Sequence, residues 1–437
     1  MSYSKAYMLD IHFIRENADL IKLGAAKKRI SVDLDRLLKV DDERKTIRAQ
    51  MDEKKAEQNR MSDTIARAGG EERSQLIEGM KHVKEGFLEL EEKHKLVMEE
   101  WQKLMLQVPN IPDMSVPEGE SDADNKEVKK WGEETQFDFA PKGHVELMEE
   151  LGMVDFARGT KVAGFRGYFL KGDGALLTMA IWQLAVKHFT SKGLNPMIVP
   201  SLVRKELLLG SGYLPQGEED LYKTQDEEYL AGTGEVATMG YYSGETVEMG
   251  ELPIKFLAFS PCFRREAGAH GKDVRGLIRV HEFHKWEQVV LCEADHAKSV
   301  ELHEWLNRNT EEFIELLNIP YHTVANCGGD LGLGQVKKYD IELWVPGEKT
   351  YREISSASYF HDFQTRRLNI RYRDTDGSLK FAHSLNSTAI PTPRILVSIV
   401  ENYQQADGSI KVPDALVPFM GKSVITKPVA HGTQGNQ

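Results

Sequence analysis

Cysteine is almost missing from this sequence. Its only cysteines among 437 residues, Cys262, Cys292 and Cys327, stand far apart with no C-x-x-C pair. That argues against a disulfide framework or a cysteine-rich structural zinc site and leaves buried thiols as their ordinary role. No apolar run approaches the roughly 18 residues of a membrane span. The opening MSYSKAYMLD has neither a basic nor an apolar leader segment, so a cytoplasmic enzyme with no membrane partner is expected. Both glycine signatures for phosphate are absent, G-x-G-x-x-G after a strand and G-x-x-x-x-G-K-S/T, which disfavours a parallel nucleotide-binding fold. The run Gly328 to Gly334 has neither spacing, and a flexible loop accounts for it. A formal charge of -12 does not advertise a nucleic-acid binder, although binding depends on where basic residues lie rather than on their sum.

What is present begins with periodicity. The segment IHFIRENADLIKLGAAKKRI suggests a small helix and a turn. Alternating steps of three and four then join Leu37, Val40, Arg44, Ile47, Met51, Lys54, Gln58, Met61, Ile65 and Ala68, a mostly apolar seam. Gly69 and Gly70 interrupt it, and it resumes over Leu76, Met80, Val83, Phe87, Leu90, His94, Val97, Trp101, Leu104 and Val108. Two such helices of about 35 residues around a Gly-Gly break predict an antiparallel hairpin of ~50 Å. A pair of ordinary helices lying on the main body is the other reading. Basic and acidic side chains balance between Asp41 and Ala68, so a polynucleotide would be gripped by few residues, with Arg44, Lys45, Arg48, Lys54, Lys55 and Arg60 as candidates. A solvated coiled-coil surface explains the same residues.

Pro109 to Glu133 is proline-rich and acidic with no apolar period, and reads as a linker. Beyond it, His144 to Phe156 predicts a helix, and Ala175 to Ser191 a longer one, stopped at Gly193 before a strand ending at Pro200. Leu177, Ile181, Leu184, Ala185 and His188 give that helix a face broad enough for a sheet or a partner subunit. Short strands follow in DLYKT, EEYLAGTGEV and LPIKFLAFSPCF, then a helix from Glu293 to Leu317 and strands at Tyr321 to Ala325 and Lys338 to Val345. The pattern predicts an α+β domain on a mostly antiparallel sheet.

The chemistry concentrates between Phe259 and Glu287. Ile254 to Phe263 and Leu277 to Phe283 read as strands of a hairpin around a glycine-rich loop with Gly268, Gly271 and Gly276. Arg264, Arg265 and Glu266 end one strand and Glu287 lies beyond the other. Arginines beside carboxylates suit a polyanion with a metal or ammonium group, since the guanidinium fork matches phosphate oxygens. An ordinary surface hairpin with salt bridges is the alternative. Further on, Tyr351 to Ser356 ends a strand-like stretch, Phe363 to Arg373 carries Arg366, Arg367, Arg371 and Arg373, and Thr392-Pro393-Arg394 opens an apolar helix with Thr392 as cap. An arginine at that helix start opposite two arginine-bearing strands makes three positive points around one pocket, with Glu266 and Glu353 able to hold magnesium between phosphates.

Taken together, FRREAG, GKDVRGLIRVHEFHKWE, REISS, HSLNSTAIPTPRIL and ENYQQADGSIKVPDAL resemble the bacterial-type seryl-tRNA synthetases, a class II aminoacyl-tRNA synthetase family, along nearly the whole chain. The three class signatures correspond to Ala175–Pro200, Phe263–Glu287 and Ala389–Asn402. The resemblance implies an α+β fold: a class II catalytic domain on a mostly antiparallel sheet flanked by helices, with an N-terminal coiled-coil arm. It divides the chain into a tRNA-binding domain at 1–108 with the arm at about 33–108, a linker at 109–133, a catalytic core at 134–425 and a flexible tail at 426–437. The implied activity joins L-serine, activated with ATP to seryl-adenylate and diphosphate, to the 3′ end of tRNA(Ser), with tRNA(Sec) as a further substrate. A homodimer with tRNA bound across subunits is part of the same expectation.

The resemblance also implies roles residue by residue. Arg264, Glu353 and Arg394 carry catalysis, Arg264 at the α-phosphate and Arg394 at the γ-phosphate. The ATP set is completed by Arg265, Glu266, Val280, Phe283, Ile354, Ser355 and Ser356, with Phe283 stacking the adenine. Magnesium, arriving with ATP, falls to Glu353 and Ser356. Serine falls to Thr233, Gly234, Glu235, Arg264, Glu287, Asn386 and Thr388, with Glu287 at the amino group. Lys272 and Arg275 join the arm residues as tRNA contacts. The family usually has Ala where Gly234 stands and a small apolar residue where Trp286 stands, which puts serine selectivity in question. A synthetase-like ligase charging a carrier protein, or an inactive relative, is the alternative. The former should lack the arm, and the latter should have lost Arg264, Glu353 or Arg394.

Overall fold

The heptad seams become, in the computed structural model, two long helices: α1, Leu34–Arg67, and α2, Gly70–Gln107. The structure describes residues 9–269, 271 and 273–428. The two helices run antiparallel, the Arg44 guanidinium lying 4.7 Å from the Trp101 ring and the Lys55 ammonium 5.8 Å from that of Phe87. Every seam position named above, His94 included, is buried or half-buried. Asp33 caps α1 by accepting the Arg36 amide, and Gly70 reverses the chain at φ +56, where a side chain would be strained.

The packed core of this N-terminal unit sits at the base of the hairpin. Leu34, Leu37 and Val40 meet Trp101, Met105 and Val108, together with Ile14 and Ile21. The last two come from separate helices, Ile11–Glu16 and Ala18–Lys27, where one helix was expected. The break is Asn17, whose amide side chain donates to the Phe13 carbonyl, the local competition that makes Asn a poor interior helix residue. Fully enclosed among these helices, Asp41 meets Arg15, Arg44 and Lys45 at 2.9, 2.7 and 2.7 Å.

The described chain forms a second unit from Pro112 onward, built on an eight-stranded sheet. Its strands are β1 Lys126–Trp131, β2 Asn195–Ile198, β3 Ile254–Phe263, β4 Glu282–Cys292, β5 Tyr321–Ala325, β6 Lys337–Val345, β7 Thr350–Tyr359 and β8 His383–Thr392. They lie in the order β1-β5-β6-β7-β8-β4-β3-β2, antiparallel except for the β2–β3 pair at one edge. Helices α3, Asp173–Ser191, α5, His296–Leu316, and α6, Arg394–Asn402, pack in one core with Leu257, Trp286, Ile341 and Ile390 of the sheet. The opposite face is covered in part by α4, Gly234–Tyr241, and the helix Phe363–Leu368, around Met239, Phe256, Val289, Leu291 and Leu368.

Several expectations needed correction. The stretch read as a linker contains β1, which pairs with β5 from Lys126↔Ala325 to Trp131↔Tyr321. An edge strand needs one partner and carries no inward apolar stripe on both sides, so Lys-Glu-Val-Lys-Lys-Trp hid it. The helix predicted over His144 to Phe156 stops at Glu150, where Gly152 takes φ +66, and a new helix begins at Phe156. β4 starts at Glu282, so Leu277 to His281 is irregular although Leu277, Ile278 and Val280 are buried. REISS falls in the middle of β7 rather than at its end. α4 was not foreseen inside EEYLAGTGEV, because its start is set by Thr233, whose hydroxyl accepts the Glu235 amide. Of the expected tail, residues 429–437 lie outside the described ones.

Candidate active site

Two-residue alternation along β4 sorts its side chains between the faces of the sheet. His284 and Trp286 turn to the helix layer, where Trp286 lies 4.8 Å from the Phe259 ring and His284 5.3 Å from that of Trp182. Phe283, Lys285 and Glu287 take the other face. There a cleft opens, with Arg264, Glu266, Val280, Phe283, Glu353 and Arg394 among its lining. Trp286 therefore points away from it.

The two arginines of the cleft are held by backbone. Arg264 donates Nε–H to the Gly232 carbonyl at 3.2 Å, and its guanidinium lies 5.3 Å from the Phe283 ring. Arg394 donates from Nε to the Ile278 carbonyl at 3.0 Å and from Nη1 to that of Glu353 at 2.9 Å. Burial lowers the Arg394 guanidinium from its ordinary value; the Glu353 carboxylate opposes this, and Arg264 and Arg279 add to it. A guanidinium under that pressure gains from an arriving polyanion. The two carboxylates of the cleft differ. Glu266 is held by Arg279 at 3.0 Å, whereas the Glu353 carboxylate has no hydrogen bond or ion pair among the described residues.

Deeper in, a buried polar cluster continues from the floor. Lys285 Nζ lies 2.6 Å from Glu287 Oε2 and donates to the hydroxyls of Thr233 at 3.0 Å and Thr388 at 3.4 Å. The Thr233 hydroxyl donates to Glu287. Glu235 accepts from the Tyr213 hydroxyl at 2.8 Å and from Gln364 Nε2 at 2.6 Å, and Ser384 donates to Gln364 Oε1, which orients that amide. Burial, then the Glu287 charge, push the Glu235 carboxyl up to about 7, against the hydrogen bonds from Gln364 and Tyr213 and the charge of Lys285. At Gly234 an added methyl would come within 3.1 Å of the Ser260 hydroxyl, so the position has little spare room.

The structure thus brings together Arg264, Glu266, Val280, Phe283, Glu353, Ile354, Thr388 and Arg394 at the cleft, and Thr233, Gly234, Glu235 and Glu287 below it. Other predicted residues are not among the cleft's lining. Arg265 is exposed and donates to the Glu219 carbonyl. Ser355 is buried and donates to the Thr388 carbonyl, Ser356 lies opposite Asp340 on β6, and Asn386 is half-buried on β8 between Ser384 and Thr388. Arg264 and Arg394 are two of the expected three positive points, but the arginines of 366–373 do not form the third. They fall on a short helix and a small separate sheet, where Arg366 and Arg371 stack on Phe381 and Arg367 on Phe363. Lys285 takes that place. Thr392 does not cap α6 either: it ends β8, accepting from Trp182 Nε1 and donating to the His284 carbonyl.

Of the residues expected to meet tRNA, Arg44 and Lys45 are engaged with Asp41, Arg48 with Asp52 and Lys54 with Glu57, while Arg60 is exposed. Arg275 pairs with Glu149 at 2.8 Å, and Lys272 lies outside the described residues. Sequence reasoning passed over Lys285, Tyr213 and Gln364. Lys285 was recoverable, being two residues from both Phe283 and Glu287 on one strand. Tyr213 and Gln364 carry no such signal.

Comparison with known proteins accounts for both units. Residues 8–112 match the seryl-tRNA synthetase N-terminal domain, and residues 220–403 the tRNA synthetase class II core domain (G, H, P, S and T). The serine–tRNA ligase of Deinococcus radiodurans is 45% identical over 97% of this chain and 100% of its own length. That of Kosmotoga olearia is 44% identical over 96% and 100%. The seryl-tRNA synthetase of Pyrococcus horikoshii, solved in complex with ATP, superposes with a TM-score of 0.87 at 36% identity, covering 97% of this chain and 100% of that one. The cytoplasmic serine–tRNA ligase of Naegleria fowleri, solved with AMP, gives 0.83 at 32% identity, with the same coverage.

Proposed function

Because the chain belongs to the seryl-tRNA synthetase family, we infer that the cleft binds ATP and that the polar cluster beneath it binds L-serine. The activity is serine–tRNA ligation. A serine carboxylate oxygen attacks the α-phosphorus of ATP, diphosphate leaves, and the terminal ribose hydroxyl of the tRNA then takes the seryl group from the adenylate as AMP departs. The carboxylate is already ionised at neutral pH, so activation needs alignment and charge compensation rather than a general base.

The observation that carries the assignment is continuity: a cation-lined cleft opens onto a buried set of carboxylates and hydroxyls joined through Lys285. In this reading Arg264 faces the α-phosphate, Phe283 and Val280 the adenine and Arg394 the γ-phosphate. Glu287 receives the serine ammonium, and Thr233, Glu235, Thr388 and Asn386 discriminate its hydroxyl. Alanine is rejected because these polar atoms would be left unpaired, and threonine for lack of room. An oxygen ligand without a protein partner suits a hard divalent cation, so Glu353, with Ser356, would hold magnesium carried by ATP. That ion would supply charge neutralisation at the phosphates.

Assembly and tRNA complete the proposal. Leu176 and Met179 form an exposed stripe on α3, 48% and 52% exposed, and Ile198 on the edge strand β2 is 83% exposed. Such an apolar edge fits a two-fold contact between copies. The hairpin would grip the tRNA(Ser), and tRNA(Sec) where present, of a cytoplasmic translation system. A carrier-protein ligase or inactive relative is not favoured, since the arm and Arg264, Glu353 and Arg394 are all in place. ATP–diphosphate exchange measured across the amino acids is the test. Exchange with serine alone is expected, and exchange supported equally by alanine or threonine would overturn the pocket assignment.

A further inference from the structure

Arg394 depends on a carbonyl that no regular element supports. Its Nε donor is directed by Ile278, in the irregular stretch before β4. Irregular backbone beside a binding site must be held from elsewhere if it is to keep a fixed direction. The holder is His144. The amide of the preceding residue, Leu277, donates to His144 Nε2 at 3.3 Å. Because that nitrogen accepts, the proton of the neutral ring sits on Nδ1, which donates to Glu401 Oε1 at 3.0 Å.

Glu401 is fully buried and His144 is 6% exposed. The Glu401 carboxylate also accepts the amides of His144 at 2.7 Å and of Gly347, in the β6–β7 turn, at 2.8 Å. It stands on α6, about two turns beyond Arg394. The bonds therefore close a ring: Arg394 to the Ile278 carbonyl, Leu277 to His144, His144 to Glu401, and back along the helix to Arg394. Gly276 permits the approach, since any side chain there would meet His144 Nε2 at 2.4 Å.

We propose that His144 is a positioning residue of the ATP site, a bridge that fixes the carbonyl aiming Arg394 by tying the Leu277 amide to Glu401. This rests on the reading of the cleft as the ATP site. It assigns the two ring nitrogens separate tasks, and two variants separate them. His144→Asn keeps a donor near the Nδ1 position for Glu401 and abandons Leu277; His144→Gln extends an acceptor toward Leu277 and abandons Glu401.

Serine-dependent ATP–diphosphate exchange should show the KM for ATP about tenfold higher in His144→Asn, the effect of one lost buried hydrogen bond on alignment. In His144→Gln it should stay within about threefold of the parent, and the KM for serine should be unchanged in both. Equal ATP KM values in the two variants, or a serine KM that rises with that for ATP, overturn the proposal. Should either variant fail to fold, hydrogen exchange of the parent decides: the Leu277 amide, outside any strand, should exchange as slowly as those of β4, and fast exchange overturns the bridge. Arg394→Ala keeps the two readings apart. If it leaves exchange intact, the ATP site itself is misassigned; if it abolishes exchange while the His144 variants behave alike, only the bridge fails.

Discussion

Two buried carboxylates, one in each unit, are displaced in opposite directions. At the base of the hairpin, burial alone would raise Asp41, but hydrogen bonds from Lys45, Arg44 and Arg15 outweigh it and hold the carboxyl at about 2, against an ordinary 3.8. Glu235 in the catalytic unit is equally enclosed, yet burial and the nearby Glu287 push it up to about 7 from 4.5, despite two hydrogen bonds. The first is compensated within the protein. The second lacks a full countercharge, and its carboxyl stays raised for that reason. The hairpin matches its buried carboxylate with three cations, whereas the body leaves Glu235 mainly to neutral hydrogen-bond donors.

If that division is right, the chemistry can be lost without touching the hairpin. Arg394→Ala should lower serine-dependent diphosphate exchange by roughly 100-fold or more, the usual scale of lost transition-state electrostatics, with tRNA binding by filter retention little changed. The converse experiment shortens the hairpin. Asp41 and Trp101 belong to its buried base, so residues 52–88 are the better ones to replace by a short Gly-Ser connection. Exchange should survive, while kcat/KM for tRNA charging falls by roughly tenfold or more and its salt dependence becomes shallower, because fewer phosphate contacts release counterions. Loss of exchange together with charging would assign the hairpin a folding role instead.

The carboxylates themselves give the next test. Asp41→Asn should cost about 2 kcal/mol of stability at neutral pH, the size of its shift, read from denaturant unfolding followed by helical circular dichroism. In the parent that contribution is complete above about pH 4 and disappears as pH falls toward 2, because the depressed group binds its proton in the unfolded chain first. Glu235 acts with the opposite sign: between pH 4.5 and 7 the folded state retains a proton the unfolded chain has released, so stability should fall as pH rises through that window, and Glu235→Gln should flatten the slope. A slope of the same sign from both groups would end the contrast. The smallest effect is expected at Gly234→Ala, where the Ser260 hydroxyl must yield by a few tenths of an ångström; the KM for serine should move by less than about threefold.

The hairpin was legible in the chain because its contacts recur every three or four residues, and the amino acids that touch are chosen by the same spacing that makes the helices. Much of the site was legible for a different reason. Arg264, Glu353 and Arg394 sit in motifs that resemble a known family, and alternation on one strand ties Phe283 to Glu287. The same alternation ties Lys285 to them, a lysine that none of the motif readings singles out.

Periodicity determined the two helices, the antiparallel class of the sheet and most of its strands, since those follow from which residues can share a face. Other features were decided by the tertiary structure alone. β1 exists because β5 offers it an edge, and the arginines of 366–373 lie outside the cleft because a short helix and a small sheet carry them elsewhere. Tyr213 and Gln364 reach Glu235, and His144 reaches Leu277, across 22, 129 and 133 residues of chain. No local pattern encodes a partner at such separations; only when the sheet has brought the segments together does burial compel each polar group to find one.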